Sequence, residues 1–202
     1  LTEYIDGKMF YGIKTGLNEA FIIDLKTKNE LIAEDPKSAL LIKPFVNGKE
    51  VKRYSNLKTN NYLIYIPWHF PLQNDSSVTG ASKKAELDFK TNYPAVFNHL
   101  LKFKDKLMVR NSAETGVRYE WYALQRFGAQ YCDEFEKPKI MYPDIAPRGY
   151  FTLDEQGSFY CTNTVYMIIN DQKYLLGLLN SKLITYYFSK VSALMRGGYL
   201  RF

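Results

Sequence analysis

Residues 139–169 read KIMYPDIAPRGYFTLDEQGSFYCTNTVYMII, and the fold class turns on how this stretch is divided. Lys139 to Tyr142, Tyr150 to Leu153, Phe159 to Cys161 and Val165 to Ile169 are short runs rich in aromatic and branched residues, types that suit a pleated, half-buried surface. Pro143-Asp144, Asp154-Glu155-Gln156-Gly157 and Thr162-Asn163 punctuate them with residues that favour turns. Runs this short, interrupted this often, predict four strands and a β-rich second half.

Helical signals flank that region. Asn170-Asp171 is placed to cap a helix from Lys173 to about Lys190, with Leu175, Leu178, Leu179, Leu183, Tyr186 and Tyr187 on one face and Gly197-Gly198 barring continuation. From Pro94 to about Met108, Val96, Leu100, Phe103 and Leu107 form one stripe at helical spacing. Asp35-Pro36 supplies a cap and a first-turn proline, predicting a short helix from Lys37 to Ile42 that ends near Pro44. Residues 9–25, MFYGIKTGLNEAFIIDL, predict a hairpin with strands at Phe10 to Ile13 and Ala20 to Ile23, its backbone relaxed by Gly12 and Gly16. Asn47-Gly48 makes a turn leading to a strand at Tyr62 to Ile66, and the small polar residues 74–86 form an exposed connection. Between Arg110 and Phe135 polar and aromatic residues alternate without a clear period, which leaves the local structure open. Strands and helices together predict an α+β fold.

A chain of 202 residues fits one domain, residues 1–202, with 173–190 as a C-terminal helix. Its 46% hydrophobic and 24% charged residues are ordinary for a folded domain, and 17 Tyr with 13 Phe favour strands and flat, partly polar surfaces. Lys and Arg number 27 against 21 Asp and Glu, a net charge of +6 compatible with a polyanionic partner. Cys132 and Cys161 form no CxxC pair, and His69 and His99 stand far apart, so no metal site is expected and reduced thiols point to the cytoplasm. No apolar run reaches the roughly 20 residues a membrane span requires. Leu1 in place of Met, and Arg201-Phe202 closing the chain after a glycine pair, predict a segment of a larger polypeptide.

Motifs for chemistry are missing from the sequence. A methyltransferase of the amino-group class uses a glycine-rich turn and a Pro-Pro-aromatic loop; Asn92-Tyr93-Pro94 and Tyr142-Pro143 have the wrong order for the latter. A metal-dependent nuclease joins Pro-Asp to a following Glu-x-Lys, but after Pro143-Asp144 the Asp154-Glu155 pair has Gly157 where that lysine belongs. Cys132 lies beside Asp133 and Glu134, which oppose thiolate formation. No catalytic, cofactor-binding or metal-binding residue is assigned.

What remains is a set of basic residues interleaved with aromatic and amide side chains: Lys49, Lys52 and Arg53; Arg110 and Asn111; Arg118 and Tyr119; Gln125 and Arg126; and Lys190 with Arg196 and Arg201. Lys and Arg neutralise phosphates, while Arg, Asn, Gln and Tyr reach base edges in the major groove.

Five segments in register resemble one family: GIKTGLNEAFIID (Gly12 to Asp24), SALLIKPFVNGKEVKRY (Ser38 to Tyr54), WYAL (Trp121 to Leu124), FEKPKI (Phe135 to Ile140) and YLLGLLNSKL (Tyr174 to Leu183). They resemble the TaqI-like C-terminal specificity domain of type IIG restriction-modification enzymes and related adenine-N6 DNA methyltransferases. The resemblance implies a twisted, mostly antiparallel β region with peripheral helices, like the target-recognition domain of type I specificity subunits. It also implies a monomeric, non-catalytic module that binds double-stranded DNA while the methyltransferase domain of the same polypeptide holds S-adenosylmethionine and flips the adenine. Candidate DNA-contacting residues are Lys43, Lys52, Arg53, Arg110, Arg118, Tyr119, Arg126 and Arg196, with Lys52, Arg53 and Arg196 on phosphates and the region of Arg118 and Arg126 on bases. The alternative is a protein-interaction module that positions a catalytic domain.

Overall fold

A computed structural model describes residues 3–195 and 197–202. The first half contains β1 (Met9–Tyr11), α1 (Asn18–Phe21), β2 (Ile22–Asp24), α2 (Leu25–Glu34), β3 (Ile42–Val46), β4 (Asn61–Ile64), α3 (Lys83–Asn92), α4 (Pro94–Leu101) and α5 (Lys104–Val109). The second contains β5 (Lys139–Pro143), β6 (Ile145–Ala146), β7 (Thr152–Asp154), β8 (Tyr160–Cys161), β9 (Val165–Ile168), α6 (Lys173–Leu179), α7 (Lys182–Val191), β10 (Leu194–Met195) and β11 (Tyr199–Arg201). The fold is α+β with mostly antiparallel strands. The chain divides into two compact units. A strand-rich unit takes the residues up to Gly12, Phe45–Thr59 and Gln130 onward; a helical unit takes Ile13–Pro44 and Asn60–Ala129.

In the strand-rich unit, a sheet of order β1-β9-β5-β7 is antiparallel throughout, with Ile140 of β5 opposite both Ile168 and Leu153. Ile140, Tyr142, Phe151 and Ile168 pack with Leu175, Leu176 and Leu179 of α6 into one apolar cluster. The last residues of β3, Phe45 and Val46, run parallel to β8, and β10, β11 and β6 make a small antiparallel sheet. In the helical unit, β2 and the first residues of β3 flank β4 on either side, all antiparallel. Asp24 caps α2 by accepting from the Thr27 N–H at 2.8 Å, and Ser82 caps α3 by accepting from Ala85 at 3.2 Å. The core there is aromatic: Phe89 lies 4.6 Å from Tyr122 and 5.6 Å from Phe70 and Phe97, ring centre to ring centre.

The hairpin expected over residues 9–25 does not form. β1 pairs with β9, which is distant in sequence, while Asn18–Phe21 is helical and Ile22–Asp24 pairs with β4. Gly12 makes the first pairing workable, because an added Cβ there would collide with the backbone carbonyls of Cys161 and Thr162. The Pro94 stripe is split into α4 and α5 by a turn in which the Phe103 N–H reaches the Leu100 carbonyl. The helix expected over 173–190 is likewise two helices, because Asn180 ends α6 and Ser181 caps α7 through the Ile184 N–H. Pro44 lies inside β3, the helix before it being a 3-10 turn over Pro36–Leu40. Gly197 and Gly198, at φ of 83° and 80°, turn the chain between β10 and β11 and do not stop a helix. The four strands expected between 139 and 169 are present as β5, β7, β8 and β9.

Candidate nucleic-acid interface

Within the helical unit, Arg118 and Arg126 converge on one carboxylate. Glu114 accepts from Arg118 Nη1 at 2.9 Å, from Arg126 Nη1 at 3.0 Å and Nη2 at 3.2 Å, and from Asn111 Nδ2 at 2.5 Å. The hydrogen bond from Arg126 holds the Glu114 carboxyl below the usual carboxylate range, and the charges of Arg126 and Arg118 act the same way. Both guanidinium groups lie over the Trp68 ring, at 5.5 and 5.9 Å, and that ring stacks on Tyr119 at 4.6 Å. Two cations and one anion leave the group with a single positive charge on an exposed surface.

Two of the expected contact residues are built into the interior instead. Arg110 donates to the carbonyls of Thr15 at 2.9 Å, Trp121 at 3.2 Å and Ala123, and its guanidinium faces the rings of Phe21 and Tyr119. Burial pushes its pKa down to about 10. Tyr119 is fully buried beneath Trp68, its hydroxyl accepting from Thr115 at 3.1 Å. Both brace the segment that carries Arg118 and Arg126. Lys43 is half-buried on β3 opposite Leu63.

In the strand-rich unit the cations stand differently. Lys52 is exposed with Nζ 5.2 Å from the Tyr150 ring, and Arg53 lies 5.1 Å from the ring of Tyr54. Arg148 approaches Tyr150 from 5.9 Å, and together with Arg53 and Lys182 it lines a hollow of about 330 Å³. Lys49 and Lys52 line a second hollow, of about 630 Å³, with Tyr150 and Tyr199. Among the described residues, none of Lys49, Lys52, Arg53, Arg148 and Lys182 pairs with a carboxylate. Arg201 differs, being tied to Asp144 at 3.2 Å. Arg196 lies outside the described residues. Sequence reading missed Arg148 and Lys182: the former follows a proline in an apparent turn, and the latter stood in a segment read for its leucines.

Burial lowers the His99 pKa while its ring bonds the Ala20 carbonyl, and burial raises both thiols, Cys161 to about 12. Among the described residues no three His, Cys, Asp or Glu side chains are grouped to hold a metal ion, and no helix is long and apolar enough to cross a membrane.

Residues 43–202 match the profile of the TaqI-like C-terminal specificity domain. The type II methyltransferase M.MjaIV of Methanocaldococcus jannaschii is 30% identical over 200 residues, which cover 96% of this chain and 61% of that protein. The solved structure of the type IIL restriction-modification enzyme MmeI in complex with DNA is similar in fold, with a TM-score of 0.62 at 18% identity, over 96% of this chain and 23% of that one.

Proposed function

Given that the chain belongs to the family of TaqI-like C-terminal specificity domains, we propose that it selects the DNA site for a restriction-modification polypeptide and performs no bond chemistry itself. The parent is an adenine-N6 methyltransferase whose catalytic domain binds S-adenosylmethionine; the longer M.MjaIV relative, a type II methyltransferase, supports the methyltransferase part of that reading. Double-stranded DNA is the ligand, and the module acts as a monomer. The observation that carries this reading is the contrast between two kinds of basic surface. Among the described residues Lys49, Lys52, Arg53, Arg148 and Lys182 pair with no carboxylate, as suits residues that neutralise phosphates. Arg118 and Arg126 are held by Glu114 against Trp68, so their orientation is fixed before contact and less rotamer freedom is lost on meeting a base edge. A guanidinium placed on the O6 and N7 of guanine contributes about 1–3 kcal/mol of discrimination.

Replacing Arg118 by Ala is expected to relax sequence preference by roughly ten- to a hundredfold at one base pair, and Lys52→Ala to weaken cognate and random duplexes alike. A competition titration of the two variants against both duplex types checks this. If Arg118→Ala keeps full preference and Lys52→Ala keeps full affinity, the assignment of these roles is wrong.

A docking role accompanies recognition. On α7, Leu183, Tyr186, Tyr187 and Val191 are exposed, and no residue of that helix is buried. This face fits the methyltransferase domain of the same polypeptide, since the chain spans 61% of the length of its methyltransferase relative.

A further inference from the structure

We propose that the hollow between Arg53, Arg148 and Lys182 seats a backbone phosphate of duplex DNA. This rests on the reading of the chain as a DNA-recognition module and gives that reading a defined contact. The three cations come from three separate segments: the loop after β3, the loop between β6 and β7, and the first turn of α7. One residue fastens all three segments. The Phe151 carbonyl accepts from the Tyr54 N–H at 3.1 Å and from Asn180 Nδ2 at 2.8 Å, and the Phe151 N–H donates to Asn180 Oδ1 at 3.1 Å. Both Phe151 and Asn180 are buried, and Phe151 packs in the apolar cluster with Leu175 and Leu179. Arg53 adjoins Tyr54, Arg148 precedes Phe151 by three positions, and Lys182 follows Asn180 by two, so each cation projects from a base that the core holds still.

The lining of the hollow is chemically one-sided. Thr185 adds a hydroxyl donor, whereas the Ser189 hydroxyl donates to the Tyr186 carbonyl at 2.6 Å, and among the described residues no carboxylate lines it. Three like charges collected without a counter-ion repel one another, and an anion removes that cost. A polymer fits better than a lone ion, because the positive row continues. Tyr150 has Arg148 on its ring at 5.9 Å and Lys52 at 5.2 Å, and Lys52 with Lys49 borders the neighbouring hollow. Successive phosphates of one strand would meet successive cations of that row.

The test uses the purified chain, a mixed-sequence fluorescent duplex and a series of salt concentrations, with Arg148→Ala, Lys182→Ala and the double variant. These side chains are exposed, so the variants are expected to melt with the wild type. Each single variant should weaken binding about threefold at moderate salt and lower the slope of log affinity against log salt by about 0.9, with the double variant losing about twice that slope. Wild-type slope in the double variant overturns the phosphate seat while leaving DNA recognition standing. A wild-type chain that binds no duplex at any salt overturns DNA recognition as well. Inorganic phosphate, added at ionic strength matched with chloride, should compete no better than chloride. If it competes better with the wild type and not with the double variant, the hollow is a site for the free ion and the backbone assignment falls.

Discussion

The Lys139 ammonium is fully buried, donating to Asp154 Oδ2 at 2.7 Å and to the Phe135 carbonyl at 2.7 Å. Burial lowers its pKa, and the charge of Asp154 opposes that shift. Asp154 in turn accepts from the N–H groups of Ser158 and Phe159, so the pair ties β5, β7 and the turn after β7 together. Removing the cation strands a carboxylate in the interior. Lys139→Met is therefore expected to cost about 3–5 kcal/mol of stability by urea denaturation, and a loss under roughly 1 kcal/mol would show that the pair does not hold the sheet. Arg110, with three carbonyl acceptors, and Lys139 illustrate why residue type alone did not sort the cations. In sequence, a lysine in FEKPKI and an arginine before Asn111 look as available to DNA as Arg148 does. Only burial separates a cation bonded to backbone carbonyls from one that has none.

The two C-terminal helices divide their labour, and neighbouring leucines should respond accordingly. Leu175 of α6 is 2% exposed and sits in the apolar cluster, whereas Leu183 of α7 is 71% exposed. Leu175→Ala is expected to cost about 2–5 kcal/mol. Leu183→Ser should change the stability of the chain by no more than about 0.5 kcal/mol, a difference that thermal unfolding of the two variants resolves. Equal losses would mean that the α7 face is already covered. The short strands β5, β7, β8 and β9 were legible because turn residues mark their ends; β5 also meets β7 and β9 within a short span of chain, whereas β8 pairs with the distant β3. β1 was misread because its partner β9 lies more than 150 residues away, and nothing local distinguishes a strand that folds back on its neighbour from one that awaits a distant one. The split at Asn180-Ser181 was hidden by a leucine pattern that continues across it, although Ser181 is itself a capping residue.

Across the molecule, the net charge of +6 understates how unevenly the charge is arranged. In the helical unit Lys104 pairs with Glu86, Lys106 with Glu19, and Arg118 and Arg126 with Glu114. In the strand-rich unit the cations from Lys49 to Lys182 form no ion pair among the described residues, although Asp144, bonded to Arg201, also lines the hollow beside Lys49 and Lys52. The candidate site was legible in sequence as segments, since Lys52, Arg53, Arg118 and Arg126 all came from basic clusters in irregular stretches. Its sorting into a pinned pair and an uncompensated row was not, because pairing depends on carboxylates brought in by the fold. Sequence-specific DNA recognition is tested most directly by exposing the chain to a pool of random-sequence duplexes, recovering those bound over several rounds, and sequencing them. Enrichment of one short, defined site, lost in Arg118→Ala, is the expected result. A bound pool that stays as random as the input would contradict it.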